Sequence, residues 1–238
     1  MNINEIAKLA GVSRATVSRY LNQGYVSEEK KKIIRKVIEE TGYQPSSQAQ
    51  MLRTKKTKLV GVILPKIDSN TISREVAGIS DILTKQGYQL ILANTNNSTE
   101  EELKYLSLFR DNQVDGVIFI ATILTKQHKD MLKEYRVPIV LLGQHLEGYP
   151  CIYQDDYKAA MSLTEELVKS GKKFGYITVT DKDEAVGKKR LSGVEEVLKK
   201  NRIELNSDCV KCGSFTLESG YEKTEELFNE YPDIDTLI

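Results

Sequence analysis

The chain has 238 residues, with 34 Lys and Arg balancing 34 Asp and Glu and 40% hydrophobic residues, enough for one large or two ordinary globular domains and too apolar for a disordered chain. No apolar run reaches the ~20 residues of a bilayer span and no signal-peptide h-region is read, so a cytoplasmic location without membrane contact is expected. The zero net charge conceals an asymmetry: residues 1–58 carry twelve Lys and Arg against five acids, a net +7, and residues 59–238 carry −7, the pattern of a head that meets a polyanion and a body that does not.

The head reads as short helices. Asn2 with Glu5 three positions on makes a capping-box start, and Ile6, Leu9 and Ala10 recur at helical spacing. Gly11 interrupts, and Ser13 caps a second helix holding Val17 and Leu21. Ser27, with Glu28 and Glu29 in the first turn, opens a third helix whose apolar stripe is Ile33, Ile34, Val37 and Ile38, and Gly42 ends it. Pro45 sets up residues 46–53, two helical turns too short to stand alone, and Thr54–Lys58 reads as a polar linker.

From Leu59 the pattern alternates. Strand Leu59–Leu64, helix 72–86, strand Gln89–Ala93, helix 100–112, strand Val117–Ile120, helix 126–134 and strand Ile139–Leu142 follow one another. After a short apolar stretch at Cys151–Tyr153 come helix 157–170, strand Phe174–Val179, helix 187–200, a weak strand near 209–212, helix 218–229 and an apolar end at 236–238. Such alternation implies parallel sheets with right-handed crossovers, and the break near 154–157 divides them. The expected fold is an all-α head followed by an α/β body of two parallel-sheet subdomains.

Chemistry concentrates in residues 3–19. A helix, a tight turn at Gly11 and a second helix place residues 13–19 where they can enter a major groove. Ala7, Ala10 and Ala15 let the helices cross closely, and the exposed face offers Ser13, Arg14, Thr16, Ser18 and Arg19. Arginine grips guanine O6 and N7 with both arms, and hydroxyls suit phosphates or base edges.

Residues 3–53 resemble the DNA-binding head of the LacI/GalR repressors. The likeness lies in Ala10-Gly11-Val12-Ser13, Thr16-Val17-Ser18-Arg19, Asn22, Val26-Ser27, Gly42-Tyr43 and the Pro45, Ala49, Leu52 segment. It continues through Gly61-Val62-Ile63-Leu64-Pro65, Gly87-Tyr88, Val114-Asp115-Gly116-Val117-Ile118, Pro138-Ile139-Val140 and Arg190-Leu191-Ser192-Gly193. The resemblance implies a helix-turn-helix domain over 1–45, a hinge helix and linker over 46–58, and a periplasmic-binding-protein-like body split into 59–156 and 157–238. Chains of that family run longer, so the second subdomain is expected to be incomplete.

Roles follow from the resemblance. Arg14, Ala15 and Arg19 would occupy the reading positions in the major groove, with Ser13, Thr16, Ser18 and Asn22 near phosphates or bases. The hinge, with Ser46, Ala49, Leu52 and Arg53, would fold on DNA and drive Leu52 into the minor groove as a wedge. The loop Lys66–Ser73, including Asp68 and Asn70, would line an effector cleft; Arg190 would grip ligand hydroxyls or acid groups, Phe215 would stack on the ligand, and Asp155 would stand beside the pocket. The bland alternatives are a surface salt bridge for Arg190, ordinary core for Phe215 and a helix N-cap for Asp155. Ala15 departs from the larger polar residue common in the family, which leaves the operator sequence open. Ile72 and the ending Leu142-Gly143-Gln144 also depart, so the effector is not a simple copy of any one member's.

The function so implied is a sequence-specific repressor of a carbohydrate-utilisation operon, binding double-stranded operator DNA as a homodimer and answering to a sugar or sugar phosphate. A tetramer stays open, and no cofactor, metal or enzyme activity is expected. Two alternatives stay open: a catabolite-type regulator controlled by a phosphocarrier protein, and a solute sensor that does not bind DNA. Cys209 and Cys212 form a lone C-x-x-C without a second pair, and His128 and His145 lack triad or metal spacing and are expected to be exposed. No phosphate-binding glycine motif is present.

Overall fold

Three apolar contacts hold the head together, and each comes from a different helix. The computed structural model describes residues 1–44, 56–111 and 114–238, and the chain divides into two compact units, Met1–Thr57 and Lys58–Ile238. In the first unit, α1 (Ile3–Leu9) starts on a true capping box: the Asn2 side chain accepts from the amides of Asn4 and Glu5, and the Glu5 carboxylate accepts from the Asn2 amide at 2.9 Å. Gly11 takes the left-handed conformation (φ +62°) that turns the chain toward α2 (Arg14–Leu21). Ser13 caps α2 by accepting from the Thr16 amide at 3.2 Å. α3 (Glu28–Thr41) starts at Ser27 and ends at Gly42, which is also left-handed.

Ile6, Val17 and Ile34 are fully buried at the meeting of the three helices, with Ala7, Ala10 and Val26 beside them. The expected stripe on α3 is off by one residue. Ile33 is 41% exposed, and the buried side runs through Ile34, Val37 and Ile38. Leu9 likewise faces solvent. Ile34→Ala should therefore cost about 2–5 kcal/mol, enough to melt so small a core, whereas Ile33→Ala should cost little. Thermal melts followed by circular dichroism check this: a head transition displaced in the first variant and kept in the second.

The second unit carries two parallel sheets. The first collects β1 (Leu59–Leu64), β2 (Gln89–Asn94), β3 (Gly116–Ile120), β4 (Ile139–Leu142) and β5 (Cys151–Ile152) in the order β2-β1-β3-β4-β5. The crossovers are α4 (Asn70–Lys85), α5 (Thr99–Asp111) and α6 (Lys126–Lys133). Five of the six β1 residues are buried because helices cover both faces. On one face Ile63, Phe119 and Leu141 pack with Leu106 and Phe109 of α5 and Leu132 of α6. On the other, Val62, Leu64 and Ile120 pack under Ile72, Val76 and Ile79 of α4.

The second sheet has the order β7-β6-β8, from β6 (Phe174–Thr178), β7 (Val210–Cys212) and β8 (Thr236–Leu237). α7 (Asp156–Leu167), α8 (Arg190–Lys200) and α9 (Leu217–Glu230) surround it, with Phe174, Tyr176, Val194 and Leu198 at the centre. One element departs from the expected helix over 187–200. Residues Glu184–Lys189 form a π-helical turn capped by Asp183, and α8 proper begins at Arg190.

Asp235 pins β8 in place. Its carboxylate accepts from the amides of Lys172 (3.0 Å) and Lys173 (3.1 Å) and from the Thr236 hydroxyl (2.8 Å). Those donors, the Lys172 amide first, hold its pKa below the ordinary 3.8. A carboxylate depressed on folding contributes stability above its unfolded pKa and loses it as the pH falls through the lower folded value. The protection factors of the Lys172 and Lys173 amides should therefore fall on acidification below about pH 4, and Asp235→Asn should lack that acid step.

His128, expected at the surface, is fully buried. The reason is local: Thr125 caps α6, and His128 three residues on reaches back to it, with Nδ1 2.7 Å from the Thr125 hydroxyl. This folds the ring inward, where it stacks on Phe119 at 5.9 Å and sets Nε2 3.2 Å from the buried Glu102 carboxylate. His145 is exposed, edge-on to Tyr153.

Candidate DNA and effector sites

On α2 the side chains at 14 and 18, and those at 15, 19 and 22, form adjacent rows on one helix surface. Ser13, Arg14, Ala15, Arg19 and Asn22 are exposed, Thr16 and Ser18 are partly covered, and Val17 points into the core. Lys31 and Lys36 on α3 pair with Glu28 and Glu40, at 2.7 and 3.8 Å. Arg14 and Arg19 have no acidic partner among the described residues, so both guanidinium groups are available to an external anion or base edge. Ser13 has a structural duty as well, since its hydroxyl holds the Thr16 amide and lies 2.9 Å from the Thr16 hydroxyl. Asn22 donates to the Ser18 carbonyl from the C-terminal end of α2. Ser46, Ala49, Leu52 and Arg53 lie outside the described residues.

The body's strand order points to where a ligand would bind. In β2-β1-β3-β4-β5 the winding direction reverses between β1 and β3, and in β7-β6-β8 it reverses beside β6. Open parallel sheets bind ligands beyond the carboxyl ends of their strands at such reversals. After β1 comes the segment with Asp68, exposed and 3.8 Å from Lys66 Nζ, and then Asn70, the first residue of α4. Asn70, Thr71, Arg74 and Glu75 line a pocket of about 340 Å³. Burial raises the Glu75 carboxyl above its usual pKa, and its Oε2 has no hydrogen-bond partner among the described residues.

The second sheet supplies Arg190, the first residue of α8. Its Nε donates to Asp156 Oδ1 at 2.7 Å; the arginine side chain is 44% exposed and the aspartate only 6%. Asp156 thus orients Arg190 through Nε, and the arginine side chain stays partly exposed. The salt bridge offered as the bland alternative for Arg190 is present, with Asp156 as its acid. Asp155 instead caps α7, accepting from the Lys158 amide at 3.1 Å and pairing with its ammonium at 2.8 Å, and Lys158 holds its carboxyl below the ordinary pKa. Phe215 stands half-exposed in the loop between β7 and α9, beyond the carboxyl end of β7.

Two residues that the sequence did not single out as site members join the sheets. Gln144, two residues past β4, donates from Nε2 to Asp183 Oδ1, past β6, at 2.8 Å, and both side chains are buried. Among the described residues, no group of three His, Cys, Asp or Glu is arranged to hold a metal ion, and no helix is long and apolar enough to cross a membrane.

Comparison with known proteins matches both units. Residues 57–238 match the family described as periplasmic binding proteins and sugar binding domain of LacI family, and residues 2–46 match bacterial regulatory proteins, lacI family. The sucrose operon repressor of Staphylococcus xylosus is 33% identical over 238 residues, 100% of this chain and 73% of its own. Catabolite control protein A of Priestia megaterium is 34% identical over 235 residues, 97% of this chain and 70% of its own. The lac repressor dimer bound to operator and the anti-inducer ONPF matches with a TM-score of 0.87 at 21% identity, covering 100% of this chain and 72% of that one, a likeness of fold.

Proposed function

The chain belongs to the LacI family of bacterial regulatory proteins, and from that premise we propose that it represses a carbohydrate-utilisation operon in the cytoplasm, with a sugar or sugar phosphate setting its grip on operator DNA. The observation that carries this reading is α2, which presents Arg14 and Arg19 without acidic partners among the described residues, on a head whose sequence matches the family. In this reading 1–45 binds the major groove and 46–58 is the hinge, with Ser46 and Arg53 near the backbone and Leu52 beside Ala49 wedged in the minor groove. Residues 59–156 and 157–238 form the two halves of the effector cleft, with Arg190 as its grip, Phe215 as its stacking ring and Asp68, Asn70 and Asp155 at its rim.

Half-site reading by a helix-turn-helix calls for two heads related by a two-fold axis. A second copy would meet the outer side of α4 and β2. α4 buries no residue completely, Ile82 is 61% exposed, and Ile91 and Leu92 on the sheet's edge strand are 40% and 42% exposed. Covering that apolar surface, and giving the unpartnered Glu75 oxygen a donor, are what a homodimer supplies.

The effector is sought first among sucrose, fructose and their phosphates, since the sucrose operon repressor is among the relatives. Titration calorimetry of the full chain tests the proposal. One of these compounds should bind and, at about 100 times its Kd, stabilise the protein by about 2.7 kcal/mol in a thermal melt. No heat and no shift with any of them, or with a wider set of sugars, would remove the sugar from the account.

A further inference from the structure

Arg190 stands immediately after an unusual turn, and one of the groups that hold that turn comes from the opposite subdomain. Asp183 Oδ1 accepts three hydrogen bonds: from the amides of Ala185 (3.1 Å) and Val186 (3.0 Å), and from Gln144 Nε2 (2.8 Å). The first two cap the π-turn Glu184–Lys189, and the main chain adds Gly187 and Lys188 donating to the Asp183 carbonyl at 3.1 Å each. The turn is wedged tightly against the preceding loop. A Cβ on Gly187 would stand 2.0 Å from the Thr180 carbonyl oxygen, so this backbone has little room to shift.

We infer that Gln144 is a positioning residue for effector capture: from the first subdomain it holds Asp183, Asp183 holds the π-turn, and the turn sets where Arg190 meets the ligand. Gln144 is 5% exposed and Asp183 2%, so this bond forms out of water, where its loss is most costly. It is made with both sheets in place and is lost if the carboxyl ends of β4 and β6 separate. Closing the cleft and placing Arg190 therefore become one event. π-helical turns are rare and recur at functional sites, and this one carries the position of Arg190. The inference rests on the proposal that the cleft binds a sugar, but its first consequence is visible without one.

The test uses the full chain and Gln144→Met, which keeps the volume and removes the donor. Without ligand, amide exchange at Ala185 and Val186 should quicken about tenfold or more, while exchange in the sheet cores is unchanged. With sucrose as the probe, Gln144→Met should weaken binding about tenfold in the wild-type background and less than about twofold in Arg190→Lys, because Gln144 acts through Arg190. Gln144→Glu, which sets a second carboxylate against Asp183, should give the same exchange result if Gln144→Met is poorly folded. Unchanged exchange at Ala185 and Val186 in both variants overturns the inference, as does an additive loss with Arg190→Lys. If sucrose and the other sugars fail to bind the wild type, the effector proposal falls, and the exchange arm still decides whether Gln144 holds the turn.

Discussion

Replacing Arg14 and Arg19 together by alanine is expected to abolish operator recognition and leave the head folded. Both side chains are exposed and have no acidic partner among the described residues, and neither takes part in the core of Ile6, Val17 and Ile34 or in the Ser13 cap. Alanine is the better helix former, so α2 loses nothing in propensity. A bidentate contact to guanine discriminates by about 1–3 kcal/mol, so each single substitution should cost about 10- to 100-fold and the pair about a thousandfold or more. An arginine that touches phosphate instead would weaken all DNA alike and lower the salt slope by about one. Ser13→Ala makes a poor comparison, because it also removes a cap worth about 1 kcal/mol. Anisotropy on operator and random duplexes, with circular dichroism on the same samples, separates these outcomes.

The second large effect is expected at Arg190. Arg190→Lys keeps a cation beside Asp156 but loses the planar fork that can hold neighbouring hydroxyls or a phosphate. Effector affinity should fall about 100-fold with operator affinity and stability nearly unchanged. Arg190→Ala should lose the effector response too, and in addition strands a nearly buried carboxylate. A fully buried pair broken on one side costs about 3–5 kcal/mol; here the arginine is half-exposed, and roughly 1–2 kcal/mol is expected. A variant in which the lysine binds sugar as well as the wild type would show that Arg190 is only a surface partner of Asp156. Denaturant titration and calorimetry on the two variants give the comparison.

Much of this architecture is legible in the residues because their periods are strong. The short apolar run Leu59–Leu64 has the length of a strand covered on both faces, Ile139–Leu142 is bounded by Pro138 and Gly143, and both elements have the expected ends. Asn2 with Glu5, and Ser13 after Gly11, declare their helices by capping chemistry alone. Where the signal is weaker, tertiary structure decides. Ile33 and Ile34 are equally apolar neighbours, and only the packing of α1 and α2 selects Ile34. His128 looks like a surface residue until Thr125 caps α6 and draws it inward.

The candidate sites show the same division. The recognition helix is a local object, so its exposed arginines can be found in a short window of sequence. The proposed effector cleft draws on loops far apart in the chain, and adjacency misleads there. Of the consecutive pair Asp155 and Asp156, the first is consumed as a helix cap and the second orients Arg190, an assignment that depends on where α8 packs. The π-turn has no period of its own, and its tie to Gln144, 39 positions from Asp183, appears only once the two sheets are side by side.

The central claim joins DNA binding to a small effector in one chain, and fluorescence anisotropy of the full chain on a labelled duplex from its own upstream region tests it most directly. Titrations at 50 and 200 mM salt, with and without sucrose, fructose and their phosphates, are sufficient. The account predicts binding much tighter than to random DNA, falling about a thousandfold or more between the two salt concentrations, and weakened or strengthened by one of the sugars. Equal affinity for random and upstream DNA, unmoved by every sugar, would contradict it.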